Sequence, residues 1–313
     1  MREDNNLKVI HIVGSGRSGS TLLDIILGSH TDAVSGGELI NAFSAVENFD
    51  EYCACGRAAR NCEFWIDVFE NWASGNGKDW QIEITKLKNK YESLLSTPVL
   101  LLSKLFKTKD YLRYQTLHKR FYQSIAEVSG KNIIIDSSKN PLRAYVLMDI
   151  AGIKPVVIHL IRDGRAVANS LLKSFQKDPE SGVQKDLKPK PISRTAVFWV
   201  ILNLLTEWLI ANQQSASYRM IRYEDLMTDF KKEMDRLGEV ISLDYSEIGN
   251  MVTTGKKLEI GHLIAGNRLR MADYVTLAPD YSWRESLSNR QKAIFWLIAG
   301  ITARRYGYRK GEM

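Results

Sequence analysis

Two short segments concentrate residues able to hold anions. Gly14, Gly16 and Gly19 punctuate G-S-G-R-S-G-S-T-L-L, directly after the apolar run K-V-I-H-I-V. Glycines between a strand and a helix let backbone N–H groups turn inward around an anion. A helix starting near Ser20 adds the partial positive charge of its N-terminus, so this loop is expected to bind a phosphate or sulfate. The spacing from Gly14 to Gly19 follows G-x-x-x-x-G-K-[ST], but Ser20 stands at the lysine position, with Thr21 after it. The lysine that reaches β- and γ-phosphates is missing, which disfavours an ordinary kinase or NTPase, and Arg17 inside the loop is placed to supply charge instead. The second segment, V-V-I-H-L-I-R-D-G-R-A-V-A-N-S, brings Arg162 to the end of an apolar run and Ser170 eight residues later onto the following helix. Those two can converge on a second anion. Asp163 reads as structural, orienting an arginine, while Arg165 either contacts the ligand or faces solvent. Two anion sites on neighbouring strand ends suit a nucleotide phosphorylated at two places.

These segments need strands to carry them. Five short runs rich in Val and Ile answer to that: Val9 to Val13, the weak run Ala33 to Ser35, Asn132 to Ile135, Val156 to Ile161, and Arg219 to Ile221. Helical spacing separates most of them, the alternation of a parallel sheet. The fold class expected is α/β, a P-loop-type parallel sheet of about five strands with helices on both faces. Ligands in such sheets sit outside the carboxyl ends of the strands. The segment from Lys78 to Ser129 reads as helical, with a basic stretch from Lys104 to Arg120. Residues 173 to 195 read as a mobile loop, with Pro179, Gly182, Pro189 and Pro191 among lysines. Trp283 to Tyr308 reads as helical with a basic end.

The chain has 313 residues, 44% apolar and 25% charged, which excludes a disordered or collagen-like polymer. Lys plus Arg number 43 against 36 Asp plus Glu, a net +7 that points towards anionic partners but is too small to favour nucleic acid. The three cysteines Cys53, Cys55 and Cys62 form no disulfide framework, and the N-terminus has no secretion-signal pattern, so a cytoplasmic location is expected. Ala196 to Ala211 is about 16 residues long, short of the roughly 20 that span a bilayer. It reads as a core helix buried through Val197, Val200, Ile201, Leu204, Leu205 and Trp208, and no transmembrane segment is expected. The cysteine spacing C-x-C-x₆-C lacks an evident fourth ligand, so no metal is expected and packed thiols or a local pair are favoured. His11 and His159 read as satisfied strand residues.

The ordered pair of anion motifs resembles the two cofactor motifs of PAPS-dependent sulfotransferases, most closely a bacterial group related to tyrosylprotein and carbohydrate sulfotransferases. The resemblance runs from about residue 8 to 225 and weakens beyond. It implies a donor, 3′-phosphoadenosine-5′-phosphosulfate, giving 3′-phosphoadenosine-5′-phosphate as product, with no metal. The 5′-phosphosulfate would lie on Ser15, Gly16, Arg17, Ser18, Gly19, Ser20 and Thr21, and the 3′-phosphate on Arg162 and Ser170. Sulfuryl transfer to a hydroxyl is an in-line displacement that needs a base and positive donors for charge on the leaving phosphate. Glu38, in A-V-S-G-G-E-L, matches the family's Gly-Glu base, although a glutamate at a helix start has a simpler explanation. Lys139, in I-I-I-D-S-S-K-N-P-L-R, matches a lysine that stabilises the transferring group, with Arg17 sharing the role. Arg222 and Tyr223 resemble nucleotide contacts, and Tyr223 equally suits core packing. The late segment G-H-L-I-A-G-N-R-L-R-M offers His262, Gly266, Asn267, Arg268 and Arg270, of which Asn267 and Arg268 are expected to close over the 3′-phosphoribose.

The expected reaction moves a sulfuryl group onto a hydroxyl of a glycan, peptide or small molecule. A P-loop kinase and a silent module binding acidic or sulfated polymers through Lys104 to Arg120 are the alternatives. One domain is expected over residues 1–313, with a helical acceptor-side insertion at about 40–130; a homo-oligomer stays open.

Overall fold

The computed structural model describes residues 7–311 except 48–50, 75–79, 179, 182, 184–185, 212, 214–215 and 272–276. Pro179 and Gly182, which the loop reading used, lie outside the described residues. The chain runs through β1 (Leu7–Val13), α1 (Ser20–Gly28), β2 (Ala33–Ser35), α2 (Ala42–Glu47), α3 (Glu63–Ala73), α4 (Trp80–Tyr91), α5 (Thr97–Leu105) and α6 (Lys109–Ser129). It continues through β3 (Ile133–Lys139), α7 (Pro141–Leu147), β4 (Ile153–Ile161), α8 (Gly164–Leu171), α9 (Ile192–Thr206) and β5 (Ser217–Arg222). Then follow α10 (Tyr223–Thr228), α11 (Phe230–Ile241), α12 (Ser246–Thr253), α13 (Trp283–Ser286) and α14 (Asn289–Arg305).

The five strands are parallel in the order β2-β3-β1-β4-β5. Near-continuous apolar runs in β1, β3 and β4 reflect a sheet covered on both faces. Alternation along β1 divides them: Leu7, Val9 and Val13 pack with α3, α4, α6 and α7, while Ile10 and Ile12 pack with α1, α11 and α12. A third cluster joins α8, α9 and α14 through Val167, Trp199, Phe295 and Trp296. The chain leaves β1 towards β2 and leaves β4 towards β5, in opposite directions along the sheet. The β1 and β4 ends therefore flank the switch point where α/β sheets bind ligands.

β3 extends four residues past the expected end at Ile135. Its pairing with β1 slips between His11↔Asp136 and Val13↔Lys139, a bulge of the kind that re-aims a side chain beside a functional site. Lys139 itself sits at φ 64°, in the left-handed region. Beneath it, fully buried Arg143 bridges Asp136 and Glu92, each at 2.9 Å, and Tyr122 donates to Asp136 at 2.6 Å. Burial alone would raise the Asp136 carboxyl, but Arg143, then His11 and Ser138, hold it well below the ordinary range.

The long apolar helix buries a different stripe from the expected one. Val197, Ile201, Leu204 and Trp208 are exposed, whereas Thr195, Ala196, Trp199, Leu202, Asn203 and Thr206 face inward. The sequence is apolar nearly all round, so spacing alone cannot choose the face. Polar bonds choose it: Trp199 Nε1 donates to the Arg162 carbonyl at 3.1 Å, and His159 Nε2 pairs with Asn203 Oδ1 at 2.9 Å. His159 also receives the Tyr218 hydroxyl at 2.8 Å, satisfied as expected. The helical run Ile192–Ala211 is 20 residues, longer than expected, and by length and composition could cross a membrane; 44% of its 18-residue apolar stretch is buried in the fold. Within 173–190, described residues pair as a hairpin, Phe175 with Leu187 and Asp178 with Val183.

Candidate active site

The loop after β1 is shaped by what presses on it. A Cβ on Gly14 would lie 2.3 Å from the Leu160 carbonyl oxygen, so glycine lets the loop close against β4. At Gly19, φ is 95° and a Cβ would come within 2.5 Å of the Tyr223 ring, which seals the loop from the β5 side. Gly16 has open space where a Cβ would point. The side chains of Ser15 and Ser18 are buried, and among the described residues both hydroxyls lack a protein partner, as does Arg162 Nε. Buried donors without partners are costly unless something accepts from them. Three such groups around the start of α1, whose first turn has no acidic residue, form a cup suited to anionic oxygens.

Arg162 spans the switch point. Its guanidinium stacks 4.5 Å over the Tyr223 ring, donates through Nη1 to the Arg17 carbonyl at 2.9 Å, and pairs through Nη2 with Asp280 at 2.8 Å. The geometry joins Arg162, Tyr223 and the glycine loop. Ser170 is half-buried on α8 and, among the described residues, makes no hydrogen bond to Arg162. Asp163 caps α8 by accepting from Arg165 N at 2.8 Å and holds the Arg165 side chain at 2.7 Å. Arg165 neither faces solvent nor reaches the cup: it is buried, 4.0 Å from the Trp283 ring. Arg222 lies over Tyr308 and beside Asp225, also away from the cup.

Glu38 and Lys139 pair beside the cup, with Arg17 near enough for the Glu38 charge to act on it. Lys139 Nζ forms an ion pair with Glu38 Oε1, while Asn41 donates to Glu38 Oε2 at 3.0 Å. The Glu38 and Lys139 side chains are 19% and 17% exposed, open enough to be reached and buried enough for charges to act strongly. Arg17, at φ 71°, feels the fields of Glu38 and Arg268; burial lowers its pKa first, Glu38 opposes that, and Arg268 adds to it. Left-handed backbone at both Arg17 and Lys139 is the strained placement seen at functional sites.

The segment 262–270 braces this group. Glu38 N–H donates to the Ile264 carbonyl at 2.9 Å, and Gly37, at φ 72°, has no room for a Cβ beside that same carbonyl. Asn267 N–H donates to Thr21 Oγ1 at 3.1 Å. The Arg268 guanidinium lies 5.4 Å from the Phe175 ring of the hairpin, and buried Arg270 donates back to the Gly266 carbonyl at 3.2 Å. Asn267 therefore stands against the α1 start, and Arg268 lies near enough to Arg17 for their like charges to act on each other.

Several residues here had no local sequence signal. Asp280, the partner of Arg162, begins an Asx turn onto Ser282 at 3.0 Å, which marks a turn but not its pairing. Asn41 reads simply as a residue of a short helix. His262 meets the three cysteines although 200 positions separate it from Cys62; no spacing rule connects them, and the expectation that no histidine is near them is corrected by the fold. Asp24 on α1 is fully buried, accepting from Ser137 at 2.5 Å and from Ser35. Burial pushes its carboxyl up to about 7, with the two serines opposing.

The raised Asp24 pKa has a measurable sign. Its protonated form is favoured in the fold, so this contribution to stability is full below about pH 4 and falls as pH rises towards 7. The change across that window is about 4 kcal/mol at most. Asp24→Asn is expected to flatten the fall when urea unfolding is followed from pH 4.5 to 8; parallel wild-type and variant curves would show that the carboxyl does not titrate there.

A model of the sulfotransferase family matches residues 10–247. Among solved structures, the sulfotransferase domain of the curacin biosynthetic pathway is 14% identical, with 96% of this chain and 98% of that one covered and a TM-score of 0.51. The sulfotransferase domain of the Synechococcus PCC 7002 olefin synthase is 19% identical, covering 96% and 95%, with a TM-score of 0.49. Sulfotransferase STF1 of Mycobacterium tuberculosis H37Rv is 14% identical, covering 80% and 73%, with a TM-score of 0.44. At these identities the likeness, carried by the curacin domain, concerns the fold. Among curated proteins none matches the sequence.

Proposed function

Since the chain belongs to the sulfotransferase family, we propose that it transfers a sulfuryl group from 3′-phosphoadenosine-5′-phosphosulfate to a hydroxyl of a glycan, peptide or small molecule. The observation that carries this reading is the Glu38–Lys139 ion pair beside a cup whose buried Ser15, Ser18 and Arg162 donors lack protein acceptors among the described residues, with the Arg17 charge close by. Those donors fit a nucleotide with anionic groups at two positions. The bound donor would supply an activated sulfuryl group on a phosphate leaving group.

The protein's own groups then have separate tasks. Backbone N–H groups of Gly16 to Thr21 and the Ser15 and Ser18 hydroxyls hold the 5′ end at the α1 N-terminus. Arg162, steadied on Tyr223, takes the 3′-phosphate together with Ser170. Asn267 and Arg268 close the cup from the α1 side. Glu38 accepts the proton of the acceptor hydroxyl, and Asn41 orients its carboxylate. Lys139 and Arg17 stabilise negative charge that grows on the bridging oxygen, the kind of preorganised electrostatic help that dominates such reactions. The Glu38–Lys139 ion pair keeps base and cation at one point until substrates separate them.

The alternative of a module holding acidic polymers would rest on a stretch in which three of the six lysines and arginines already have acidic partners: Lys104 pairs with Asp149, Arg113 with Glu83 and Arg120 with Glu127. We further read the whole chain as one domain in a reducing, cytoplasmic setting, with helices α2 to α6 on the acceptor side.

Asp280 competes with the donor for Arg162. Asp280→Asn is expected to tighten 3′-phosphoadenosine-5′-phosphate binding about two- to fivefold, the scale of one half-exposed ion pair. Calorimetric titration checks this, and weaker binding by the variant would make Asp280 a support of Arg162 rather than its competitor. The reading itself is tested by incubating the protein with ³⁵S-labelled donor and pools of phenols, sugars and peptides; label should move to an acceptor in some pool and should do so without added metal in the assay.

A further inference from the structure

We infer that Cys53, Cys55, Cys62 and His262 form a structural zinc site that clamps the segment behind Glu38. Their ligand atoms all lie within 4.8 Å of one another. The Sγ atoms of Cys55 and Cys62 are 3.7 Å apart, and His262 Nδ1 is 3.2 Å from Cys62 Sγ and 3.8 Å from Cys53 Sγ. Tetrahedral zinc, with Zn–S near 2.3 Å and Zn–N near 2.0 Å, requires S···S separations of about 3.8 Å and S···N separations of about 3.5 Å. The S···S separation of 3.7 Å matches the first value, and the S···N separations of 3.2 and 3.8 Å lie on either side of the second. A disulfide between Cys55 and Cys62 would satisfy only two of the four groups and leave Cys53 and His262 facing each other.

Each ligand is held by contacts that need no metal. Cys53 and Cys55 lie on a tight turn closed by Gly56 N–H to the Cys53 carbonyl at 3.0 Å and Cys53 N–H to the Arg57 carbonyl at 2.8 Å, with Gly56 at φ 83°. Cys62 is the N-cap of the 11-residue helix α3, where the helix dipole favours a thiolate. The His262 ring stacks on Phe64 at 4.8 Å and 7°, and its carbonyl accepts from Trp65 Nε1 at 2.8 Å. Three thiolates and one imidazole are a closed, soft donor set, the composition of structural zinc sites rather than of sites with an open position. Zinc binding there would displace the thiol protons to solvent.

The consequence reaches the active site through the backbone. His262 is two residues before Ile264, whose carbonyl holds the Glu38 N–H and whose N–H reaches the Gly36 carbonyl at 3.2 Å. Ala54 N–H also donates to the Leu263 carbonyl at 3.0 Å. A metal joining residues 53–62 to residue 262 would therefore fasten the strip that sets Glu38 in place.

The full-length chain, produced with zinc in the medium and freed of loose metal by desalting, should retain about one zinc per chain by plasma mass spectrometry, as expected for a closed four-ligand site. His262→Ala and Cys62→Ser should lose it. Cys55 is exposed, so Cys55→Ser tests the site without disturbing the core; zinc should pass to a chelator at least about tenfold faster from that variant, as a lost ligand loosens the site. Cobalt(II) in the wild type should give the intense thiolate charge-transfer and tetrahedral visible bands, weakened in Cys55→Ser. Wild-type chain with no retained zinc and only the weak bands of six-coordinate cobalt would overturn the inference, as would retention unchanged by Cys55→Ser. A Cys55–Cys62 disulfide in reduced preparations, seen by intact mass, would do the same. None of these readouts involves sulfuryl transfer, so they stand or fall apart from the proposed reaction.

Discussion

Glu38→Gln is expected to lower sulfuryl transfer by about 10²- to 10⁴-fold, the usual worth of a positioned general base. The amide keeps the side chain's size and can still receive the Asn41 donor and contact Lys139. It cannot take the acceptor's proton. Affinity for 3′-phosphoadenosine-5′-phosphate should stay within about a factor of two, because the proposed role of Glu38 concerns the acceptor and not the nucleotide. Steady-state transfer from labelled donor and a binding titration on the same preparation separate the two effects. Equal loss of binding and rate would mean that Glu38 supports the fold of the cup, and an unchanged rate would remove it from proton transfer.

Arg162→Ala carries the second large effect. The guanidinium is 9% exposed, fixed on Tyr223, and has an Nε without a protein acceptor among the described residues. Removing it should weaken 3′-phosphoadenosine-5′-phosphate about 100-fold, the cost of losing a charge-assisted pair in a largely buried site. The same change should weaken adenosine 5′-phosphosulfate, which has no 3′-phosphate, only severalfold through the lost bond to the Arg17 carbonyl. Comparing the two ligands isolates the 3′-phosphate term. An equal loss for both would assign Arg162 to holding the glycine loop alone. Arg162→Lys should recover only part of the difference, since an ammonium keeps the charge but not the planar fork.

Much of this frame is legible in the sequence for a definable reason. Strands buried on both faces are written as apolar runs, and the turn after each one needs residues with special backbone freedom, so β1, β4 and their following loops stand out. The glycine loop, Arg162 and the turn bearing Lys139 follow from that local grammar. Residues that act through distant partners do not. Asp280 finds Arg162 from 118 positions away, and His262 meets Cys62 across 200. Nothing in either neighbourhood states the pairing. The buried stripe of α9 is not legible in the sequence because a helix apolar on all sides carries no phase. There, Trp199 and Asn203 decide the face through polar contacts to β4 that only the assembled sheet provides. Arg165 shows the same limit: its burial depends on Trp283 and Trp296, which arrive from the C-terminal helices.

The net charge of +7 thereby gains partial locations. Arg17, Lys139, Arg162 and Arg268 gather about the cup, while Arg143 and Arg165 are consumed by buried carboxylates. The electrostatic bias is local to the strand ends, where a doubly anionic nucleotide would lie.

The most direct test is a calorimetric titration of the wild-type chain with 3′-phosphoadenosine-5′-phosphate in magnesium-free buffer, beside ADP and magnesium ATP. The account predicts binding of one nucleotide that depends on the 3′-phosphate and needs no magnesium. Absence of such binding, or tighter binding of magnesium ATP, would contradict it.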